Sequence, residues 1–76
     1  MTSGGRKLRG LTATRVIRAF EKAGFYVSRV AGSHYVLKHA ERPTLIIPRH
    51  DPVKAGLLLG QVKRSGLTIE EFEDLV

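Results

Sequence analysis

Three histidines, His34, His39 and His50, are the side chains in this sequence best suited to chemistry near neutral pH. An imidazole can both give and take a proton there, which suits it to general acid–base work. His34 follows a Gly-Ser pair in Arg29-Val30-Ala31-Gly32-Ser33-His34, and the β-formers of Tyr35–Lys38 follow it. That setting permits two readings: a histidine that merely opens a strand, or a turn built to present one. His50 stands beside Asp51 and fits a capping loop as well as a site. A zinc site needs three or four convergent ligands. The possible ligands are His34, His39, His50 and Asp51, and His34 and His39, five apart on one strand, project to opposite faces. The chain has no cysteine and no H-E-x-x-H pair. No metal and no cofactor is expected. The chain also lacks a phosphate-cradling G-x-x-x-x-G-K motif and a Ser/His/Asp set with recognisable local context.

Charge narrows the class of partner. The net charge is +6, and four of the seven acids (Glu70, Glu71, Glu73, Asp74) lie in the last seven residues. Residues 1–69 therefore carry all 13 basic side chains against three acidic ones. Such a surface fits a polyanion, with nucleic acid the first candidate, or simply a solvated basic domain. The acidic tail fits either the chain's own basic surface or a partner. No apolar run approaches the ~20 residues that span a bilayer, so no membrane association is expected. The absence of cysteine agrees with a cytoplasmic location. Residues 1–10 read as a flexible basic N-terminal arm without the apolar core of a signal peptide, and residues 11–76 as a single domain.

The elements that must position His34 follow from pattern. Thr12 is a suitable cap for a helix whose stripe is Val16, Ile17 and Phe20. Gly24 suits its left-handed end, with Phe25 placed for a Schellman contact. Three strands are expected at Phe25–Val30, Ser33/His34–His39 and Thr44–Pro48. Their short links make an antiparallel meander. Asp51-Pro52 resembles a helix cap followed by proline at the first helical position. Gly56 and Gly60 weaken that start, so the second helix is secure only over about Leu57–Ser65, with Leu58 and Val62 inward. Thr68-Ile69-Glu70-Glu71 is a capping box for a short last helix. The fold class is α+β, in the order α-β-β-β-α with a short C-terminal helix, with the helices on one face of a three-stranded antiparallel sheet.

Strand alternation bears on His34. Tyr35, Leu37 and His39 share one face of the second strand; His34, Val36 and Lys38 share the other. Tyr35 and Leu37 match Leu45 and Ile47 as a core set, which leaves His34 and Lys38 on the open face. In the first strand, Phe25 and Val27 then face the helices and Val30 faces outward, unless a β-bulge interrupts it.

These residues carry a family likeness. "FEKAGF" (Phe20–Phe25), Arg29 with Gly32-Ser33-His34, "IPRH" (Ile47–His50) and "KAGLLLGQVKRSGLTIEEF" (Lys54–Phe72) occur in order over most of the chain. The sequence resembles the HicA (YcfA-like) mRNA interferase toxins of type II toxin–antitoxin systems. The resemblance implies a fold similar to the double-stranded RNA-binding domain. It also implies metal-independent ribonuclease activity on mRNA, and a HicB-type antitoxin partner that masks the site. The histidine of the Gly-Ser-His motif would be catalytic, which here is His34. Two positions depart from the usual pattern: Leu57 stands where threonine usually enters the second helix, and Ala31 where lysine often precedes Gly-Ser-His.

On this reading Arg29, Gly32, Ser33 and Lys38 are the candidate RNA contacts, and His50 is the candidate second site residue. Bland uses stand beside each. Ser33 serves a turn equally well, His39 fits a core edge, and Tyr26 and Tyr35 fit packing better than base stacking. Two other functions share the same charge and fold: a non-catalytic RNA-binding module, and a small protein assembling with an acidic partner. Gly32-Ser33-His34 within the wider pattern favours the enzyme.

Overall fold

The computed structural model describes residues 8–76. The first helix, α1, spans Ala13–Lys22 and begins at Thr12, whose hydroxyl accepts the Arg15 N–H at 3.2 Å. It ends in a full Schellman motif: Phe25 N–H donates to the Phe20 carbonyl at 3.1 Å, and Gly24 N–H to Glu21 at 3.0 Å. The apolar contact that accompanies this motif is present, with the Phe20 and Phe25 rings edge to face at 5.5 Å. Gly24 sits at φ +98°, and a Cβ there would meet His39 Nε2 at 2.8 Å. Conformation and space both require glycine at this position.

Three strands follow: β1 (Tyr26–Ala31), β2 (His34–Lys38) and β3 (Leu45–Pro48). They form an antiparallel sheet in the order β1-β2-β3. β3 pairs with β2 in simple register, His34 with Pro48, Tyr35 with Ile47, Val36 with Ile46 and Leu37 with Leu45. β1 does not: the register shifts between Val27 and Arg29, leaving Ser28 as a bulge. Val27 pairs with Leu37 and Val30 with Tyr35, so both lie on the helix side. This corrects the outward placement of Val30 that strict alternation requires. The physical reason is the extra residue: Ser28 shifts the two-residue alternation by one, which puts Val30 on the helix side and Arg29 on the open face.

The core lies on one side of the sheet. Leu37, Leu45 and Ile47 are fully buried with Val16 and Phe20 of α1. The second helix, α2 (Ala55–Ser65), adds Leu58 and Val62, and the third, α3 (Ile69–Leu75), adds Phe72. Gly66 closes α2 at φ +88°, and the capping box at Thr68 and Glu71 starts α3 with both reciprocal bonds made. The outer edge of β3 is occupied by α2: Gln61 accepts the Ile46 N–H at 3.0 Å, and Arg64 donates to the Thr44 carbonyl at 2.8 Å. The acidic tail lies against α1, where Lys22 Nζ donates to the Leu75 carbonyl at 3.1 Å. The expected N-terminal arm falls mostly outside the described residues; within them, Leu8 is buried in the core cluster.

Asp51-Pro52 does not open the second helix. α2 begins at Ala55, and Lys54 occupies its N-cap position without a side-chain bond. Asp51 instead caps α1: its Oδ1 accepts the Ala13 N–H at 2.8 Å, across 38 residues. Val53 N–H donates to the Leu11 carbonyl at 2.8 Å beside it. The first N–H groups of a helix lack internal partners, so a carboxylate there is favourable. Asp51→Ala is expected to cost about 0.5–2 kcal/mol, read as a lower urea midpoint, with Asp51→Asn close to native. An unchanged midpoint in the alanine variant would mean that this bond contributes nothing in solution.

Candidate active site

His34 is the first residue of β2, immediately after the turn formed by Gly32 and Ser33. Gly32 adopts φ +60° with nothing within 4 Å of a notional Cβ, so backbone conformation alone calls for glycine there. The turn is braced by a residue that sequence reasoning did not place in the site. Arg49 N–H donates to the Ser33 carbonyl at 2.8 Å, and its guanidinium Nη1 donates to the Gly32 carbonyl at 3.4 Å. The same guanidinium carbon lies 5.7 Å from the centre of the Tyr35 ring, within cation–π range. Arg49 was visible only as part of "IPRH". That it reaches the 32–33 turn depends on the β2–β3 register, which spacing does not display.

Register defines what accompanies His34. Residues paired across an antiparallel sheet share a face, so the open face has three rows. They are Tyr26 with Lys38; Arg29, Val36 and Ile46; and Ala31, His34 and Pro48. This set contains three basic side chains, His34, Arg29 and Lys38, and no aspartate or glutamate. Each of these three is exposed, whereas Val36 at the centre is 6% exposed. Arg29 is a diagonal neighbour of His34, about 7–8 Å away by strand geometry. Lys38 is four residues along the same strand, about 13 Å from His34. A single phosphate-sized group can touch both His34 and Arg29, and Lys38 lies beyond that span. Ser33 is exposed; its carbonyl is committed to Arg49, and no hydrogen bond of its hydroxyl is found among the described residues.

The other two histidines have separate places. His39 Nδ1 accepts the Glu41 N–H at 2.9 Å, which leaves the proton on Nε2 to donate to the Ala23 carbonyl at 3.1 Å. Its ring packs on Phe25 at 4.7 Å. His39 therefore closes the C-terminal end of α1 from the helix side. His50 lies two residues beyond Pro48, the cross-strand partner of His34, and helps line a shallow pocket of about 200 Å3 with Pro48, Lys54 and Leu57. Neither His34 nor His50 makes a hydrogen bond with a described residue that would fix its ring. Among the described residues, no three His, Asp or Glu side chains are grouped to hold a metal ion. No described helix is long and apolar enough to cross a membrane.

The arrangement is an acid-free strip of exposed cations beside an unengaged imidazole on a braced turn. It can attract a phosphodiester backbone and offer a proton donor or acceptor to it. A family model described as the HicA toxin of bacterial toxin–antitoxin systems matches residues 13–67. That span includes α1, the whole sheet, α2, and the turn that carries His34. No curated protein and no solved structure matches the chain.

Proposed function

Since the chain belongs to the HicA toxin family of bacterial toxin–antitoxin systems, we propose that it is a metal-independent endoribonuclease that cleaves mRNA with His34 as catalytic residue. The observation that carries the reading is the exposed His34, placed by a braced turn on a sheet face with Arg29 and Lys38 and no acid. In the proposed reaction the 2′-oxygen of RNA bonds to phosphorus as the bond from phosphorus to the 5′-oxygen breaks. The 2′-hydroxyl proton passes to a neutral imidazole, and the leaving 5′-oxygen receives one from an imidazolium. His34 supplies one of these transfers. His50, beyond the strand partner of His34, is the residue we assign to the other. Arg29 neutralises charge on the phosphate under attack. Gly32 and Ser33 shape the turn against the backbone, and Lys38 holds a neighbouring phosphate. The basic N-terminal segment with Arg6, Lys7 and Arg9 adds charge for RNA.

The proposed partner is a HicB-type antitoxin that occludes the same face in the cytoplasm. A basic, acid-free surface attracts an acidic protein for the reason it attracts RNA. The test is incubation of the purified chain with single-stranded RNA in excess chelator, followed by mass spectrometry of the product ends. A 2′,3′-cyclic phosphate and a free 5′-hydroxyl are expected. A 5′-phosphate with a free 3′-hydroxyl would exclude attack by the 2′-oxygen. RNA that is bound but never cut would favour the binding-module reading. For the partner, the expected observation is that an adjacent reading frame encodes a small antitoxin-like protein whose co-expression restores growth to cells making this chain.

A further inference from the structure

The pocket formed by Pro48, His50, Lys54 and Leu57 lies one strand across from His34, and nothing in the fold accounts for its lining. Leu57 is 43% exposed on the first turn of α2, where a polar residue would cost nothing. Lys54 is exposed, holds the N-cap position and caps nothing. Pro48 pairs directly with His34, so the pocket begins about 5 Å from the histidine backbone. The nearest acid in sequence, Asp51, has its Oδ1 committed to Ala13 at the start of α1. The pocket therefore offers two apolar walls, a cation and an imidazole edge, with no carboxylate among its lining residues.

We propose that this pocket is a nucleotide subsite that receives the residue of single-stranded RNA flanking the scissile phosphate. Pro48 and Leu57 pack on the base or ribose, and Lys54 holds the phosphate on its far side. His50, on the lining, keeps the proton-transfer role assigned to it. A single strand is the fitting ligand because its bases can be splayed out and packed on side chains, whereas a duplex keeps them stacked. The pocket gives the site a direction: Arg29 and Lys38 follow the backbone along β2, while the pocket takes the neighbouring nucleotide across β3 toward α2. The inference rests on His34 being the reacting centre, and its test separates the two claims.

Lys54→Ala, Leu57→Ala and the double variant change exposed side chains that make no hydrogen bond among the described residues, so each should fold as the native chain does. A short single-stranded RNA with one cleavage position is the probe. With His34 intact, the double variant should raise KM at least about fivefold with kcat nearly unchanged, since a base packed on a side chain contributes about 1–3 kcal/mol. Sequencing of cleaved RNA pools should show weaker base preference next to the cut. In a His34→Ala background the same double change should weaken RNA binding by a similar factor. Native cleavage with unchanged KM and unchanged base preference in the double variant overturns the subsite and leaves the catalytic proposal standing. Absent cleavage by the native chain, together with weaker RNA binding in the double variant, supports the subsite and removes the catalytic proposal. Unchanged RNA binding with weakened binding of the antitoxin also overturns the subsite and assigns the pocket to the protein partner.

Discussion

Replacement of His34 by alanine is expected to lower the RNA cleavage rate by about 10²–10⁴-fold, the usual contribution of one positioned acid or base. Stability should stay within about 0.5 kcal/mol of native. His34 is exposed and makes no hydrogen bond among the described residues, and its strand is held by Val36 and Leu37 further along. RNA affinity should also persist, because cations contacting phosphates supply most of it. Arg29, Lys38 and the braced turn all remain in the variant. Single-turnover cleavage in chelator, paired with filter binding on the same preparations, separates chemistry from binding. A His34→Ala protein that cuts within a few-fold of native would sink the assignment. His50→Ala in the same assay identifies the second group: a loss of tenfold or more places it in the reaction, and native-like cleavage removes it.

The second large effect is on folding. Phe20→Ala should cost about 3–5 kcal/mol, the usual result of emptying a buried phenylalanine site. Phe20 is fully buried, with Phe25 at 5.5 Å and Phe72 at 4.8 Å. It therefore joins α1 to the entry of β1 and to α3 through one ring. A domain of this length is stable by only about 4–11 kcal/mol, so the loss takes a large share of the total. Thermal unfolding should move down by roughly 12–40 °C. Phe20→Leu retains most of the volume and should lie between the two. A melting point within a few degrees of native for the alanine variant would show that this aromatic cluster is not the centre of the core. Cleavage should fail with folding in Phe20→Ala, which is the opposite of the pattern expected for His34→Ala.

The site was legible to the extent that it is local. Gly32-Ser33-His34 announces a turn followed by a strand, and two-residue alternation assigns His34 and Lys38 to the face away from Leu37. The same alternation failed in β1. The bulge at Ser28 shifts the parity of every later residue of β1, and it exists only once β1 lies on β2. Arg49 escaped notice because its contacts with Gly32 and Ser33 span a register, not a spacing. Lys54 and Leu57 gave no sign of a pocket: a lysine and a leucine near a helix start are ordinary, and only the approach of α2 to Pro48 makes a pocket of them.

By itself the sequence determined the interactions that close within a few residues. These are the Thr12 cap, the Schellman end at Gly24 and Phe25, the Thr68–Glu71 capping box, the three short strands and the order of elements. The caps, the Schellman end and the capping box depend on hydrogen bonds or ring contacts between positions no more than five apart, so spacing encodes them directly; the strands show as short runs of β-formers between turn residues. The tertiary structure alone decided that Asp51 caps α1 and not α2, that His39 closes a helix while His34 is left unengaged, and that Arg29 stands on the open face. Those outcomes join residues from seven to 38 positions apart. Their geometry is settled by which surfaces the core brings together, and no local pattern carries that information.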